Sequence, residues 1–264
     1  MNMIPEDELL NFARKVVVDA GEIACKYFRK PIPIDSKNSG PGFDPVTAAD
    51  REIEAFIRNK IISAYPDHSI LGEEEEDHTG TSSYRWVIDP IDGTRAFISG
   101  SPLWGILLGL TREDECLLGL MHQPYMNETF FGSRDGAFIY HGSERRPITT
   151  RATRELNECT LYCTHPSMFT GKDDYARFTR VADNCRLMRY GGDCYSYCLL
   201  ASGCIDLVIE DLGGPYDIIP LIPIIDAAGG MVTDWEGGSA HAGGRIIAAA
   251  NQDVHEQALA LLSG

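Results

Sequence analysis

Residues 86–94 read WVIDPIDGT, an apolar run that ends in two aspartates and continues as Gly93-Thr94. The apolar run predicts a buried strand, so that Asp89 and Asp92 can converge across the tight turn at its end. Gly93 and Thr94 would then begin a short helix, whose free N–H groups suit a phosphate. A lone D-x-x-D pattern is more often an ordinary strand-to-helix turn with an aspartate cap, so both interpretations stay open for this segment alone.

Three other segments place acids next to predicted elements. Glu73 begins the acidic run 73–77 directly after an apolar stretch, so it can point inward while the other acids face water. Asp50 lies one turn into a predicted helix, and Asp217 lies in the first turn of another, directly after residues 213–216 (GGPY). Taken singly, the run is typical of a solvated loop, and the two aspartates are typical of charge compensation at helix N-termini.

Together, the four acidic segments indicate a metal site. Carboxylate oxygens are the ligands that Mg²⁺, Mn²⁺ and Ca²⁺ prefer, and an all-oxygen set disfavours zinc. The spread of the acids over four segments excludes an EF-hand, because its ligands lie in one short loop. Mutually repelling carboxylates would be costly to gather without a cation, and a metal beside a helix N-terminus is an arrangement that processes phosphates.

The composition limits the partners of the protein. Its 264 residues carry a formal net charge of −16, which disfavours a nucleic acid or an anionic membrane surface as a partner. A hydrophobic fraction of 44% excludes intrinsic disorder. Residues 1–10 lack the pattern of a secretory signal, and no apolar run approaches the ~18 residues of a membrane span. We therefore predict a cytoplasmic protein whose eight cysteines are reduced.

The pattern of elements changes near Pro147. Before it, the sequence predicts a helix over 6–30, a loop over 31–44, a second helix after Thr47, and strands at 69–71, 85–89, 103–111, 116–122 and 129–132, the later ones as an antiparallel meander. After it, strands at 160–163, 186–189, 206–209, 231–233 and 246–249 alternate with helices at 173–182, 193–202, 216–228 and 252–262. Pro223 is expected to kink the helix over 216–228.

This change predicts an α+β part that leads into an α/β part. The first, over 1–147, would hold most of the metal ligands, and the second, over 148–264, would hold Asp217 and the substrate pocket. We expect the two parts to form one compact unit.

The motifs DPVTAAD (44–50), GEE (72–74), WVIDPIDGT (86–94) and PYD…AAGG (215–230) together resemble those of the inositol monophosphatase superfamily. Its members are Mg²⁺-dependent, lithium-sensitive phosphatases. The resemblance extends over about residues 6–262 in the order of the family. It implies an αβαβα layered sandwich, a homodimer, and hydrolysis of a small phosphate monoester.

The resemblance also implies a role for each acid, with two or three Mg²⁺ ions per site. The implied ligands of the first ion are Glu73, Asp89 and the Ile91 carbonyl, and those of the second are Asp89, Asp92 and Asp217. Gly93 and Thr94 would bind the phosphate through backbone N–H groups. Asp50 would position the Thr94 hydroxyl, which with Glu73 would orient a metal-activated water for in-line attack.

Residues 189–195 (RYGGDCY) look like the histidinol-phosphate phosphatase branch of this superfamily. Asp193 and Glu210 would face the leaving group, and two carboxylates suit the ammonium and imidazole of histidinol. This pattern predicts hydrolysis of histidinol phosphate to histidinol and phosphate, a reaction of histidine biosynthesis. Asp193 can instead be a helix cap without substrate contact. Arg95, beside the phosphate or a dimer partner, and Lys37, as a cation from the 31–44 loop, have open roles.

Other functions compete with this one. The first alternative is an inositol 1-monophosphatase. A 3′(2′),5′-bisphosphate nucleotidase or a fructose-1,6-bisphosphatase is less favoured, because it needs a basic pocket for a second phosphate. A catalytically silent metal-binding or interaction protein would have lost at least one of the acids, and all of them are present.

Overall fold

The computed structural model describes residues 6–31, 33–36 and 45–263. Lys37 and Asp44, with the rest of 37–44, lie outside the described residues. The helix α1 (Glu6–Tyr27) comes first, and a short antiparallel ladder between β1 (Ile34–Ser36) and β2 (Pro45–Thr47) precedes the helix α2 (Ala48–Ala64). The 31–44 segment was expected to be a loop throughout, so the strand β1 is a difference from that expectation.

A seven-stranded sheet follows. Its strands lie side by side in chain order: β3 (Ser69–Gly72), β4 (Tyr84–Asp92), β5 (Gly105–Arg112), β6 (Glu115–Gln123), β7 (Glu128–Ser133), β8 (Gly136–His141) and β9 (Glu144–Pro147). The pair β3–β4 is parallel and the later pairs are antiparallel, which confirms the predicted meander. The short helix α3 (Thr94–Ser99) lies between β4 and β5.

The second half of the chain forms a five-stranded mixed sheet. Its elements are β10 (Thr160–Cys163), α4 (Asp174–Ala182), β11 (Leu187–Tyr190), α5 (Asp193–Ala201), β12 (Leu207–Leu212), α6 (Pro215–Ile218), α7 (Ile222–Ala227), β13 (Met231–Asp234), β14 (Gly244–Ala249) and α8 (Gln252–Ser263). The strand order is β11-β10-β12-β14-β13, with β10 parallel to both of its neighbours. Short 3₁₀ turns at Leu156–Glu158 and Pro166–Met168 flank β10.

Three apolar clusters join these elements into five layers. One lies between α1, α2 and the seven-stranded sheet, the next between the two sheets around α5, α6 and α7, and the last between the five-stranded sheet and the pair α4 and α8. Helices and sheets thus alternate as α, β, α, β, α. This arrangement confirms the predicted layered sandwich. Among the described residues, no helix combines the length and the apolar character needed to cross a bilayer.

The helix predicted over 216–228 is broken into α6 and α7. Pro220 lies in the break, and Pro223 lies in the first turn of α7, where a missing N–H costs no helical hydrogen bond. The prediction that Pro223 kinks a continuous helix was therefore wrong, because the chain starts a new helix there.

The break between α6 and α7 packs against a row of glycines in the seven-stranded sheet. Gly119 pairs with Gly109 on one side and with Gly132 on the other. A Cβ on Gly119 would lie 1.9 Å from the Pro220 carbonyl oxygen, and one on Gly132 would lie 2.2 Å from that of Pro223. Only glycine lets the backbone of the break approach the sheet this closely, directly after α6, which carries Asp217.

Candidate active site

The site lies where strand ends of the two sheets meet. Because β3 and β4 are parallel, their carboxyl ends share one edge, which carries Glu73 after β3 and the aspartates at the end of β4. In the other sheet the parallel strands β10, β11 and β12 end on the same side of the sheet, and the order β11-β10-β12 places a switch point between β10 and β12. Crevices at such switch points are usual ligand sites.

Asp89, Asp92 and Asp217 form a compact carboxylate group. Each offers one oxygen, and these oxygens all lie within 4.8 Å of one another. Their orientation is fixed by backbone donors: the Ile91 N–H donates to Asp89 Oδ1 at 3.0 Å, and the Gly214 N–H donates to Asp217 Oδ2 at 2.9 Å. The structure thus brings together acids that lie more than a hundred residues apart in the chain.

The acids of this group perturb one another. Burial, followed by the charges of Glu73, Asp92 and Asp217, raises the pKa of Asp89 well above its usual value. Burial and the charge of Asp217 likewise raise the pKa of Asp92, and the Cys194 N–H, which donates to Asp92 Oδ1 at 2.7 Å, works in the opposite direction. Glu73 also forms a side-chain hydrogen bond with Asp89. Ionising all of them together requires a nearby positive charge.

The donor set fits a hard divalent cation. All of the side-chain donors are carboxylate oxygens, and the Ile91 carbonyl lies in the turn between Asp89 and Asp92. Oxygen-only ligands are those of Mg²⁺, Mn²⁺ and Ca²⁺. The raised pKa values of the buried acids agree with a site whose charge is completed by such an ion.

Asp50 and Thr94 do not form the expected bond in this structure. The Thr94 hydroxyl donates to the Ile91 carbonyl at 3.1 Å. Asp50 Oδ2 accepts from the backbone N–H and the hydroxyl of Thr47 at 2.9 and 2.6 Å, because this oxygen completes the capping box of α2. Burial raises the pKa of Asp50 to about 6. Its Oδ1 is buried without a hydrogen-bond partner among the described residues.

The turn after β4 depends on Gly93. Its φ of +85° lies in the left-handed region, and α3 begins at the next residue, Thr94. A Cβ on Gly93 would lie 3.0 Å from the Asp193 Cβ and 3.1 Å from the Leu103 carbonyl oxygen. The glycine therefore lets α5 approach the turn, and places Asp193 directly beside it.

A cleft of about 220 Å³ opens beside the carboxylate group. Its lining comes from both sheets: Asp92, Gly93, Thr94, Arg95, Thr164, His165, Met168, Asp193, Glu210, Asp211, Leu212, Gly213 and Asp217. The structure therefore places the expected phosphate-binding turn and the two expected leaving-group acids around one space. The lining also includes Arg95, whose charge lowers the pKa of Asp193.

Glu210 and Asp193 are held by the same residue. Glu210 is buried and accepts from the Thr164 N–H at 2.6 Å and from the Tyr197 hydroxyl at 2.9 Å. The Asp193 N–H donates to the Thr164 hydroxyl at 3.0 Å. Burial raises the pKa of Glu210 to about 7 and that of Asp193 to about 6. Gly191, Gly192 and Asp193 all have positive φ, and at 44° Asp193 has a backbone conformation that few residues other than glycine, asparagine and aspartate adopt.

Sequence reasoning missed Thr164, Tyr197 and the Cys194 N–H. Thr164 directly follows the predicted strand 160–163, and residues after parallel strands lie at ligand sites, so this signal was present. Tyr197 lies one turn after Asp193 on a predicted helix, but its contact with Glu210 depends on how that helix packs. The Cys194 N–H carries no signal in the sequence, because a backbone donor belongs to every residue type except proline.

Comparison with known proteins gives a consistent set of relatives. The family model for the inositol monophosphatase family matches residues 6–264. The bifunctional phosphatase IMPL2 of Arabidopsis thaliana, named as chloroplastic, is 38% identical over 97% of this chain and 76% of its own. The histidinol-phosphatase of Chlorobaculum parvum is 31% identical over 96% of each chain. The solved inositol monophosphatase of Zymomonas mobilis is 33% identical with a TM-score of 0.86, over 99% of this chain and 100% of its own.

Proposed function

The chain belongs to the inositol monophosphatase family and is a phosphatase, and we propose that it hydrolyses histidinol phosphate with Mg²⁺. The products are histidinol and inorganic phosphate, which would place the reaction in histidine biosynthesis. The relative from Chlorobaculum parvum, named as a histidinol-phosphatase, supports this choice within the family.

One observation carries the proposal: Asp193 and Glu210 both line the cleft, and Thr164 is hydrogen-bonded to both of them. The leaving group of histidinol phosphate carries an ammonium and an imidazole, and both gain from adjacent carboxylates. Glu210 is fixed by Thr164 and Tyr197, so it is a preorganised acceptor. A neutral leaving group such as inositol would gain less from a second acid beside it.

The residues proposed to hold Mg²⁺ are Glu73, Asp89, Asp92, Asp217 and the carbonyl of Ile91. When bound, Mg²⁺ supplies charge neutralisation for the phosphate and lowers the pKa of water. Asp89 is shared between two ions in this proposal, which agrees with its burial among three other acids.

The chain's own groups position the substrate. We propose that the N–H groups of Gly93 and Thr94 bind the phosphate, since the first N–H groups of a helix have no acceptor within it. The unpartnered Asp50 Oδ1 is the acceptor proposed for the Thr94 hydroxyl. That hydroxyl would leave the Ile91 carbonyl, and with Glu73 it would orient water opposite the leaving oxygen.

Inositol 1-phosphate is the second candidate, favoured by the match to the solved inositol monophosphatase of Zymomonas mobilis. A bisphosphate substrate is less favoured. It needs several cations for its second phosphate, whereas Arg95 is the one arginine among the described residues that line the cleft.

A rate comparison tests the proposal. Histidinol phosphate, inositol 1-phosphate and fructose 1,6-bisphosphate are supplied separately under saturating Mg²⁺, and phosphate release is measured. We expect kcat/KM for histidinol phosphate to exceed the others by at least about tenfold. A higher value for inositol 1-phosphate would reject histidinol phosphate as the substrate.

The variant Asp193→Asn tests the role of the leaving-group acid. Asparagine tolerates the left-handed backbone, so the change removes charge and little else. We expect kcat/KM for histidinol phosphate to fall about 10- to 100-fold, mainly through KM, and that for inositol 1-phosphate to change little. Asp211→Asn is the matched control, because Asp211 lines the same cleft but accepts from the Thr170 N–H. An equal loss of kcat/KM for both substrates would show that Asp193 supports the fold and does not recognise the leaving group.

Two further expectations accompany the proposed reaction, namely a homodimer and a cytoplasmic location. The first is checked by analytical ultracentrifugation at micromolar concentration, where a single species of twice the chain mass is expected. The second is checked by fractionation of the source cells with an antibody to the chain.

A further inference from the structure

Glu54 and Arg58 form an ion pair inside the protein, one helical turn apart on α2. Arg58 Nε lies 2.7 Å from Glu54 Oε1, and the two side chains are 6% and 0% exposed. A buried charge pair of this kind is costly to desolvate and adds little net stability by itself. Its remaining hydrogen bonds therefore show what the pair does.

These hydrogen bonds go to the backbone that follows Glu73. Glu54 Oε2 accepts from the Glu74 N–H at 2.8 Å, and Glu54 Oε1 accepts from the Glu75 N–H at 3.1 Å. Arg58 donates from Nη2 to the Glu75 carbonyl at 2.9 Å and from Nη1 to the Glu76 carbonyl at 3.1 Å. Four bonds from one helix thus fix three successive residues of the acidic run.

Gly72, the residue before Glu73, also packs against the ion pair. A Cβ on Gly72 would lie 2.1 Å from Glu54 Oε1 and 2.5 Å from Arg58 Nη2. The end of β3 therefore packs directly on the ion pair. A side chain at position 72 would push the strand and the pair apart. Glu73 is held from both sides along the chain, by Gly72 and by Glu74.

Arg58 also places its positively charged guanidinium where acids crowd. Residues 73–77 are all acidic, and they repel one another when ionised. Arg58 is buried against this run, with Nε 3.7 Å from Glu75 Oε2. The planar guanidinium bonds Glu54 and two carbonyls from three different nitrogens, a spread of donors that the single nitrogen of a lysine cannot reproduce.

We propose that the Glu54–Arg58 pair is a positioning device that holds Glu73 in place to bind the cation. The inference rests on the proposed function, in which Glu73 is a metal ligand. Glu54 and Arg58 are not among the residues proposed to bind the cation or the substrate, and their bonds go to the backbone of residues 74–76, through which they would act. Partners that orient a ligand in this way have large effects on metal affinity.

The test measures Mg²⁺ binding by calorimetry, with Mg²⁺ alone as the probe and no substrate. The main variant is Glu54→Leu/Arg58→Met, which replaces the whole ion pair with apolar side chains so that no buried charge is left without its partner. Arg58→Lys keeps the charge and removes the fork. Glu73→Gln reports the loss of the ligand itself.

The matched control is Asp206→Leu/Arg151→Met. Asp206 is another buried acid, 3.0 Å from Arg151 Nη1, and Arg151 also donates to a backbone carbonyl, that of Gly203. This pair holds the segment before β12 and lies outside the carboxylate group. Thermal unfolding of each variant is measured without Mg²⁺ to compare their effects on the fold.

We expect Glu54→Leu/Arg58→Met to raise the Kd for Mg²⁺ about 10- to 100-fold, and Arg58→Lys to raise it by a smaller factor. The control double variant is expected to keep the wild-type Kd even where its unfolding temperature falls further. With saturating Mg²⁺, kcat of the Glu54/Arg58 double variant should stay within about threefold of wild type.

Unchanged Mg²⁺ affinity in both Glu54/Arg58 variants, with a weakened Glu73→Gln, would overturn this inference and leave the proposed function intact. An equal loss of affinity in the control would also overturn it, because the effect would then follow stability. If the wild-type chain bound no Mg²⁺, the proposed function would fail first, and the inference with it. Should the double variant not fold, Arg58→Lys decides by the same criteria.

Discussion

Two kinds of buried acid occur in this molecule, and they differ in what neutralises them. Glu54 and Asp206 each have an arginine within 3.0 Å and accept backbone N–H groups as well. Asp89 and the half-buried Asp92 have no such arginine among the described residues, and their nearest charges are other carboxylates. The charges of the first kind are neutralised within the fold, whereas those of the second kind need a cation from outside the chain to neutralise them.

This difference separates stability from function in physical terms. An acid with its own arginine is neutralised within the folded chain, and removing one partner is costly because it leaves a buried charge unpaired. Acids that repel one another raise that free energy until a cation arrives. We therefore infer that the carboxylate group is a place where the fold gives up stability for the proposed cation binding.

The largest effect is expected from matched amide substitutions in the two kinds of acid. Asp89→Asn should lower kcat/KM about 10³-fold, equivalent to about 4 kcal/mol, because the proposed shared metal ligand loses its charge. Asp206→Asn should keep turnover near wild type and lower the unfolding temperature, since it breaks the ion pair with Arg151. Steady-state phosphate release and calorimetric unfolding are measured on both. If Asp206→Asn lost the activity and Asp89→Asn kept it, the distinction between the two kinds of acid would be wrong.

The buried base His122 is expected to make the stability of the protein depend on pH. Burial lowers the pKa of His122 to about 4, and its Nδ1 lies 2.8 Å from the Thr129 hydroxyl. Below pH 6.5 the unfolded chain takes up a proton that folded His122 does not, so stability falls as the pH drops from about 6.5 to about 4, by up to about 3 kcal/mol. Denaturant unfolding of wild type and His122→Gln across this range isolates the contribution of His122. Parallel curves for the two proteins would contradict the expectation.

A smaller effect is expected at the glycine row that packs against the break between α6 and α7. Gly119→Ala pushes a methyl group against the Pro220 carbonyl, and should cost about 2 kcal/mol of stability. Because α6 carries Asp217, this variant should also weaken Mg²⁺ binding, which a substitution far from the carboxylate group should not do. Gly142→Ala is a control at a glycine of the β8–β9 turn, although its positive φ gives it a stability cost of its own. Unchanged Mg²⁺ affinity in Gly119→Ala would show that the row supports the fold alone.

The parts of the site that sequence could predict are those encoded within a few residues. The helix α2 was expected to begin after Thr47 and does so, with Thr47 as its N-cap, and the segment from Asp89 to Thr94 forms the expected turn and short helix. These features depend on local backbone conformation and on the spacing of apolar residues, which the sequence displays directly.

The parts that sequence could not predict depend on contacts between distant segments. The bond from the Cys194 N–H to Asp92 spans 102 residues, and the bonds from Glu54 to the acidic run span 20 and 21 residues. The break between α6 and α7 packs against a row of glycines on three strands, and the sequence indicated only that two prolines would disturb the helix predicted over 216–228. Such features become visible only when the packing of the layers is known.

Asp89 and its neighbours are proposed to bind a cation at the expense of the stability of the fold. The most direct test is thermal unfolding of wild type and Asp89→Asn, each in EDTA and in saturating Mg²⁺. We predict that Asp89→Asn is at least as stable as wild type in EDTA. Mg²⁺ at about 100 times its Kd should stabilise wild type by about 2.7 kcal/mol and the variant far less. A variant that is less stable in EDTA and equally stabilised by Mg²⁺ would contradict the account.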